Sequence, residues 1–182
     1  MKKILYTEAG PNGTEYKKGE WEKFAIHNES EIKGFFGEYR FLSNFWPAKV
    51  LLGDVEYRSV ELAYQAAKWK PESRQYFLSC TELESIDYNR NNMPDGYPID
   101  EWNTKKLGIM ANLITQKFDP ELNPENYQKL QVTGNKHLEE MNWWSDLYWG
   151  TNKDGEGENN LGKMLMKTRG QEKNRVSIQP SD

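Results

Sequence analysis

The chain has 182 residues, a net charge of −4 and 13% aromatic residues, which predict one domain with a core built on rings and argue against a broad basic surface for duplex binding. Its one cysteine and two histidines exclude an internal disulfide framework and a cysteine-based zinc site, so we expect no metal and no cofactor. No apolar run approaches a membrane span and the N-terminus lacks a signal-peptide core, so we expect a soluble cytoplasmic protein with no membrane partner.

The first third of the chain predicts short extended pieces and one hairpin. Lys3 to Tyr6 and Trp21 to Ile26 are predicted strands, separated by glycine-rich turns. Gly34 to Pro47, reading GFFGEYRFLSNFWP, is dense in aromatic residues but has no regular period, which is typical of an ordered loop packed on the core. Lys49 to Leu52 and Val55 to Tyr57 flank a Gly-Asp pair and predict a β-hairpin.

The stretch from Ser59 to Trp69, reading SVELAYQAAKW, predicts a helix that Ser59 caps. At 100° per residue, Glu61, Gln65 and Lys68 fall within about 60° of one another. The other positions are apolar nearly all round, so we expect the helix to be mostly buried. Its polar stripe is then either an ion-paired face turned to solvent or the wall of a cleft.

The rest of the chain predicts helices joined by loops. Pro71 should stop the first helix, Asp100 and Asn160 should cap two later ones, and Pro124 suits a first helical position. The predicted helices are Glu72 to Leu78, Thr81 to Tyr88, Glu101 to Lys117, Pro124 to about Thr133, Lys136 to Met141 and Leu161 to Gln171, and the predicted loops are Arg90 to Pro98 and Asp154 to Asn159. The fold class is therefore α+β, a single helix-rich domain with a small β-hairpin and strand component.

Carboxylates, a lysine and rings remain for chemistry, because no phosphate-binding loop, nucleophile elbow or metal-binding helix is present. Glu61 lies in the first helical turn, where the helix dipole favours an ionised carboxylate that could deprotonate water or stabilise a sugar cation. Asp146, between Trp144 and Trp149, could be a second such carboxylate or a turn-capping residue. Lys68 could clamp a phosphate, pair with Glu61 or act as an amine nucleophile, and periodicity does not choose among these roles.

Other side chains are candidates for binding. Arg40, Ser43 and Asn44 carry polar groups suited to oxygen-rich ligands. Trp102, near the start of its helix, is most simply a core residue, although an indole can also stack on a base.

Together these segments resemble the NADAR family, in the same order along most of the chain. The residues that carry the resemblance are Phe36-Gly37, Arg40 to Phe45, Pro47, Val60-Glu61, Tyr64 to Ala66, Lys68, Trp102, Lys117-Phe118, Thr133-Gly134, Leu138-Glu139, Asp146, Tyr148 to Gly150, Gly155, Gly157, Asn159 to Gly162, Leu165-Met166 and Arg169. The family includes riboflavin-intermediate N-glycosidases and enzymes that remove ADP-ribose from guanine in nucleic acid. The resemblance thus implies hydrolysis of the bond between an anomeric ribose carbon and a nitrogen.

The resemblance also implies roles for individual residues. Glu61 matches the essential glutamate, Asp146 a functional aspartate, and Lys68 a lysine considered as a nucleophile that forms a Schiff base with opened ribose. The implied substrate-binding residues are Phe36, Gly37, Arg40, Ser43, Asn44, Tyr64, Gln65, Trp102, Trp149, Gly150 and Asn160. Two departures stand out. Leu62 replaces the histidine that often follows the glutamate. The stretch from Leu78 to Asp100 fits the family poorly, and the first 33 residues do not match it.

The expected substrate is a phosphorylated ribosyl-nucleobase. ADP-ribosylated guanine in DNA is slightly preferred over the early pyrimidine intermediates of riboflavin synthesis, which makes ADP-ribosylated single-stranded DNA a candidate partner. The alternative is a non-catalytic sensor that binds ADP-ribose or NAD, and a third possibility is a scaffold protein. The expected domain boundaries are an N-terminal extension packed on or near the domain at 1–33, a NADAR-like catalytic domain at 34–171 and a polar tail at 172–182. We expect the poorly matching regions to set substrate choice.

Overall fold

The computed structural model describes residues 8–9, 15–16, 22–92 and 99–176 and has mixed helices and small sheets, which confirms the predicted helix-rich α+β class. The strands are β1 Glu8–Ala9, β2 Glu15–Tyr16, β3 Ile26–His27, β4 Glu31–Lys33, β5 Pro47–Leu52, β6 Val55–Ser59 and β7 His137–Glu139. The α-helices are α1 Val60–Ala66, α2 Glu82–Asn91, α3 Ile99–Lys117, α4 Pro124–Val132 and α5 Asn160–Val176, and the 3-10 helices are Glu22–Phe24, Gly37–Leu42 and Pro71–Leu78. Within these described ranges, none of the helices combines the length and apolarity that crossing a bilayer requires.

The chain forms two compact units. The terminal unit comprises the described residues up to Ser43 together with those from Thr133 onward, and the central unit comprises Asn44–Val132. Each unit has its own sheet and its own buried apolar residues.

The central unit is built around α1. Strands β5 and β6 form an antiparallel hairpin in which Leu52 lies opposite Val55, and Gly53 in the turn has a φ of 62°, a conformation that favours glycine. The hairpin leads directly into α1, where Ser59 Oγ accepts a hydrogen bond from Leu62 N at 3.3 Å. All seven residues of α1 are buried, as the apolar pattern predicts, with α2 and α3 packed against the helix. The predicted hairpin and capped helix are confirmed.

The helix α2 begins at a complete capping box and packs through rings. Thr81 Oγ1 accepts from Glu84 N at 3.3 Å, and Glu84 Oε2 accepts from Thr81 N at 2.7 Å. Tyr88 of α2 stacks on Tyr76 with ring centroids 4.3 Å apart, and it lies 5.2 Å from the ring of Trp69. These contacts fix α2 beside the C-terminal end of α1.

The terminal unit is built on a three-stranded sheet in the order β3-β4-β7, in which β3 and β4 are antiparallel and β4 and β7 are parallel. Helix α5 packs against β7, and a Cβ added at Gly162 would lie 2.1 Å from the carbonyl oxygen of Leu138, so only glycine permits this approach. Arg169 of α5 is buried and donates to Thr133 Oγ1 at 2.7 Å and to the Lys136 carbonyl at 2.8 Å. Burial lowers the pKa of its guanidinium.

Two predicted elements are wrong in type. Lys136 to Met141 is not a helix, because His137–Glu139 pairs as a parallel strand with β4 far away in the chain. The described part of the predicted strand Trp21 to Ile26 is not a strand, since Glu22–Phe24 forms a 3-10 turn and the strand begins only at Ile26. A pairing partner distant in sequence decides the first case, and local patterns do not report it.

Several predicted boundaries are shifted. Helix α1 ends at Ala66, before Pro71, and Pro71 opens the next 3-10 helix. Asp100 and Asn160 lie inside α3 and α5 and are not their N-caps, because those helices begin at Ile99 and Asn160. Part of the predicted aromatic loop is 3-10 helix, α2 continues to Asn91, and α5 continues to Val176 beyond the predicted end at Gln171. The predicted strand Lys3 to Tyr6 and most of the predicted loop before Pro98 lie outside the described residues.

Candidate active site

Helix α1 buries the carboxylate predicted to be catalytic. Glu61 is 8% exposed and Gln65 is 7% exposed. The backbone N–H of Glu61 donates to the carbonyl of Asn44 at 3.1 Å, which ties the first turn of α1 to the residues before the hairpin. The sequence allowed this polar stripe to be either a solvent-exposed face or the wall of a cleft. The burial of Glu61 and Gln65 excludes a solvent-exposed face for these two side chains.

The side-chain amide of Gln65 bridges Glu61 and Lys68. Its Nε2 donates to Glu61 Oε1 at 2.7 Å, and its Oε1 accepts from Lys68 Nζ at 2.7 Å. The spacing of four and three residues places the three groups in one line along the helix and the turn after it. An acid, an amide and an amine are therefore held as one polar array beside apolar packing.

Two rings line the lysine. The Lys68 Nζ atom lies 5.3 Å from the centroid of the Tyr64 ring and 5.6 Å from that of Trp102. The two rings are 5.1 Å apart and tilted by 56°. The distances from the Lys68 ammonium to the two ring centroids are within the range of cation–π attraction. Trp102 thus contacts predicted site residues and is not only a core residue.

Asn44, whose backbone carbonyl accepts from Glu61 N, also carries a buried polar side chain. It is 8% exposed, and its Nδ2 donates to the sulfur of Met110 at 3.5 Å. Among the described residues its Oδ1 has no hydrogen-bond partner. An acceptor left in this state is costly unless a ligand or water reaches it.

Asn89 belongs to the same network but was not predicted. Its Nδ2 donates to Gln65 Oε1 at 2.7 Å and to the Gln65 carbonyl at 3.2 Å, and its Oδ1 accepts from the indole N–H of Trp69. Asn89 lies on α2, in the stretch from Leu78 to Asp100 that resembles the family least. Only the docking of α2 on α1 brings it close, so no local signal in the sequence could have found it.

In the terminal unit, Asp146 organises a turn. Its Oδ1 accepts from the backbone N–H groups of Tyr148 at 3.2 Å and Trp149 at 3.0 Å. Asn142 holds the same residue from the other side, accepting from Asp146 N at 3.0 Å and donating to its carbonyl at 2.8 Å. Ser145 has a φ of 63°, a left-handed conformation. This geometry is the capping arrangement that was one of the two alternatives for Asp146, and its catalytic role stays a prediction.

The other predicted residues near this turn fix the chain before α5. Asn160 Nδ2 donates to the carbonyl of Tyr148 at 2.8 Å, and the backbone N–H of Leu161 donates to that of Trp149 at 3.0 Å. Gly150 is buried, and a Cβ there would lie 2.3 Å from the Glu140 carbonyl oxygen. Burial, with a smaller contribution from the Glu158 carboxylate, raises the pKa of Tyr148.

The remaining predicted residues lie at the 3-10 helix Gly37–Leu42 of the terminal unit. Phe36 precedes it and stacks on Trp143 with ring centroids 6.2 Å apart, and Gly37 has a φ of 54°. Arg40 is exposed on this helix, while Ser43 ends it by donating its backbone N–H to the Arg40 carbonyl at 3.1 Å.

The structure therefore gathers the predicted residues in separate sets. The central unit brings together the polar and aromatic residues of the α1 array, which are Asn44, Glu61, Tyr64, Gln65, Lys68 and Trp102. The terminal unit brings together Asp146, Trp149, Gly150 and Asn160 at one turn, and Phe36, Gly37, Arg40 and Ser43 at another. Across the described ranges, His, Cys, Asp and Glu side chains form no group of three or more that could hold a metal ion.

Comparison with known proteins gives the family and the fold of this chain. A family profile for the NADAR domain matches residues 18–171, beginning ahead of the predicted boundary at residue 34. A riboflavin biosynthesis protein of Vibrio vulnificus (strain YJ016) is 27% identical over 129 residues, which is 71% of this chain and 34% of that protein, so the match spans about a third of the relative's length. The NMR structure of the Escherichia coli protein YbiA superposes with a TM-score of 0.70 at 24% identity, covering 86% of this chain and 93% of that chain, and this likeness shows the fold alone. Since the profile covers most of the chain, the protein belongs to the NADAR domain family.

Proposed function

We propose that this protein is an N-glycosidase that hydrolyses the bond between the anomeric carbon of a phosphorylated ribose and a nitrogen of a nucleobase-like amine. The observation that carries the proposal is the array on α1. There a buried Glu61 carboxylate is linked through Gln65 to Lys68, and two rings lie beside the ammonium. Family membership and the name of the Vibrio relative support a glycosidase of this kind.

The carboxylate of Glu61 suits the demanding step. When the bond between C1′ and nitrogen breaks, the bonding electrons leave with the nitrogen and positive charge develops on the ribose ring. A buried, ionised carboxylate stabilises that charge more than an exposed one, because water does not screen it. Glu61 then takes one proton from the attacking water as the water oxygen bonds to C1′. That proton is passed on, directly or through solvent, to the departing nitrogen, which returns Glu61 to its ionised form.

Lys68 suits the grip on ribose or phosphate oxygens better than the role of an amine nucleophile. A nucleophilic amine must be neutral, whereas the Gln65 oxygen at 2.7 Å and the two ring faces all stabilise the ammonium. We therefore assign Lys68 to substrate binding, with Trp102 stacking on the base. The Oδ1 of Asn44, without a partner among the described residues, would accept a hydrogen bond from a ribose hydroxyl.

The predicted residues of the terminal unit form a set of their own. Within that unit, Arg40 and Ser43 are proposed contacts for phosphate oxygens, and Trp149 is a proposed contact for an aromatic base. Asp146 would hold the turn that presents Trp149, since one of its oxygens already accepts two backbone hydrogen bonds. Phe36, Gly37, Gly150 and Asn160 would shape the backbone around these groups.

The name of the Vibrio relative reverses the order of preference between the two candidate substrates. The riboflavin biosynthesis name of the Vibrio relative favours the ribosylated pyrimidine intermediates of that synthesis. ADP-ribosylated guanine in single-stranded DNA is the second candidate, for which the altered residue Leu62 after the glutamate is the motivating feature.

The test is a direct assay of both substrates with mass-spectrometric detection of the released base and ribose phosphate. Turnover of either substrate by the wild-type protein, and its loss in Glu61→Gln, is the expected result. Binding of ADP-ribose or NAD detected by thermal stabilisation, with no product even at enzyme concentrations equal to substrate, would replace the enzyme by a sensor. The absence of both ligand binding and turnover would overturn the proposal.

A further inference from the structure

We propose that Asn89 is a positioning residue for the Glu61 carboxylate and acts through the side-chain amide of Gln65. The inference rests on the proposed function, because it concerns the same array. It adds a residue from α2 that the resemblance to the family did not indicate.

The connection is a continuous series of hydrogen bonds with one direction. The indole N–H of Trp69 donates to Asn89 Oδ1, and Asn89 Nδ2 donates to Gln65 Oε1 at 2.7 Å. Gln65 Nε2 then donates to Glu61 Oε1 at 2.7 Å. Lys68 joins at the middle by donating to the same Gln65 oxygen.

The chemistry of the groups fixes that direction. An indole N–H can only donate, so the Asn89 atom that faces Trp69 must be the oxygen, which turns its NH₂ group toward Gln65. An ionised carboxylate can only accept, so the Gln65 atom that faces Glu61 must be the nitrogen. Lys68, which can only donate, requires the same orientation of the Gln65 amide. Each amide in the series therefore has one orientation that satisfies both of its neighbours.

Removal of the Asn89 donor would release this constraint. An oxygen in place of the Asn89 NH₂ group would face Gln65 Oε1, and two acceptors at that distance repel each other. Rotating the Gln65 amide by half a turn relieves the repulsion but places its oxygen against the Glu61 carboxylate and its NH₂ group against the Lys68 ammonium. The carboxylate would then leave the position that the amide now gives it.

Asn89 is not needed to dock α2 on α1. The rings of Trp69 and Tyr88 lie 5.2 Å apart, and Tyr76 and Tyr88 stack at 4.3 Å, so aromatic packing holds α2 independently of the amide. A change confined to the Asn89 side chain should therefore alter the orientation of Gln65 and leave the packing of the helices in place.

The experiment compares Asn89→Asp with a matched control on the same helix, Asn91→Asp. Asn91 is exposed, and its Nδ2 donates to the Asp87 carbonyl, away from the array. Both changes replace an amide by a carboxylate, but only Asn89→Asp should lower kcat, by about 10–100-fold, as expected when a reacting group is misplaced. Because the Lys68 ammonium shares the Gln65 oxygen with Asn89, KM is measured alongside kcat, and the positioning role predicts that the loss in kcat exceeds any rise in KM. Asn91→Asp should match wild type.

A second measurement reports on the network without activity. In ¹⁵N NMR spectra, the side-chain NH₂ signals of Gln65 should move in Asn89→Asp and stay in place in Asn91→Asp. If the wild-type protein shows no turnover, the proposed function is wrong. The Gln65 signals would still test whether Asn89 orients the Gln65 amide. Unchanged Gln65 signals together with wild-type kcat in Asn89→Asp would overturn the positioning role.

A third variant tests the same hydrogen-bond series if Asn89→Asp does not fold. Trp69→Phe replaces the indole by a smaller ring, which leaves an aromatic side chain beside Tyr88 and removes the N–H donor that orients Asn89. We expect a smaller loss of kcat in the same direction and a shift of the Gln65 signals. Wild-type kcat with unshifted signals in Trp69→Phe would likewise overturn the proposal.

Discussion

The Nε2 atom of Gln65 lies 2.7 Å from Oε1 of Glu61, inside a helix whose residues are all buried. A pair four residues apart on one helix moves as a unit, so the amide sets where the carboxylate points. Since the same amide also receives Lys68, the acid and the amine share one positioning element. Changes at these three residues should therefore be strongly non-additive.

Glu61→Gln should abolish most turnover without unfolding the protein. The substituted amide keeps the size of the side chain and can still accept from Gln65 through its oxygen, so the fold should survive. It loses the negative charge that a ribose cation and an attacking water require, and we expect kcat to fall by at least about 100-fold. Kinetics of base release, with thermal unfolding as the control for folding, measure this. Release of base at a near-wild-type rate would remove Glu61 from the mechanism.

Lys68→Arg separates a binding lysine from a nucleophilic one. A guanidinium keeps the positive charge and the donors but cannot form a Schiff base, so a binding role predicts activity within about tenfold of wild type. Borohydride reduction during turnover should leave no ribose adduct on the wild-type lysine, as judged by mass spectrometry of peptides. Lys68→Met removes the charge and should raise KM whether Lys68 acts only in binding or also as a nucleophile. An adduct on Lys68 together with an inactive arginine variant would establish the covalent route instead.

The local part of the central unit could be predicted from the sequence. The hairpin, the cap at Ser59 and the buried character of α1 all follow from residues close together in the chain, and the structure has each of them. The spacing of Glu61, Gln65 and Lys68 also predicted that the three share a face. Short-range signals of this kind depend on capping and on hydrophobic period, which the chain carries locally.

Long-range pairing set the limit of that prediction. Strand β7 was predicted as helix because its partner β4 lies about a hundred residues earlier, and nothing within His137–Glu139 reports that pairing. Asn89 was missed for the same reason, since the docking of α2 places it against Gln65. For Asp146 the sequence allowed two roles, and the two backbone hydrogen bonds that its side chain accepts are those of a turn-capping residue.

Tyr57→Phe should not destabilise the protein. Tyr57 is 2% exposed, and its hydroxyl has no hydrogen-bond partner among the described residues. A buried hydroxyl of that kind opposes folding, so we expect its removal to leave the free energy of unfolding unchanged or to raise it by up to about 1 kcal/mol. Urea unfolding measures the difference. A loss of more than about 1 kcal/mol would mean that the hydroxyl makes a stabilising hydrogen bond.

Tyr57→Phe should also make the free energy of unfolding less sensitive to high pH. Burial raises the pKa of Tyr57, and nearby Arg74 only partly offsets this. A raised pKa means that the folded state holds the phenol proton more tightly. The stabilisation that the protonated phenol gives the folded state is fully present below the ordinary tyrosine pKa of about 10. It is lost as the pH rises through the pKa of Tyr57 in the folded state. Wild type should therefore lose stability more steeply than Tyr57→Phe above about pH 10. Parallel loss in both proteins would contradict this.

The capping box of α2 should respond to acid. Hydrogen bonds from the backbone N–H of Thr81 and then from its hydroxyl lower the pKa of Glu84. A lowered pKa means that the stabilisation is present above the ordinary glutamate value of about 4.3 and is lost as pH falls through the folded one. The Glu84 carboxyl signal in ¹³C NMR spectra should therefore titrate below about 4.3.

Thr81→Ala supplies the control for this assignment. It removes the hydroxyl but keeps the backbone N–H, which makes the larger contribution, so the pKa of Glu84 should rise part of the way toward its ordinary value. The first turn of α2 should also exchange its amide protons faster, since the N-cap oxygen is lost. Because α2 carries Asn89, faster exchange that spreads to Gln65 would show that the cap supports the array. An unchanged Glu84 titration in Thr81→Ala would mean that the hydroxyl plays no part in lowering that pKa.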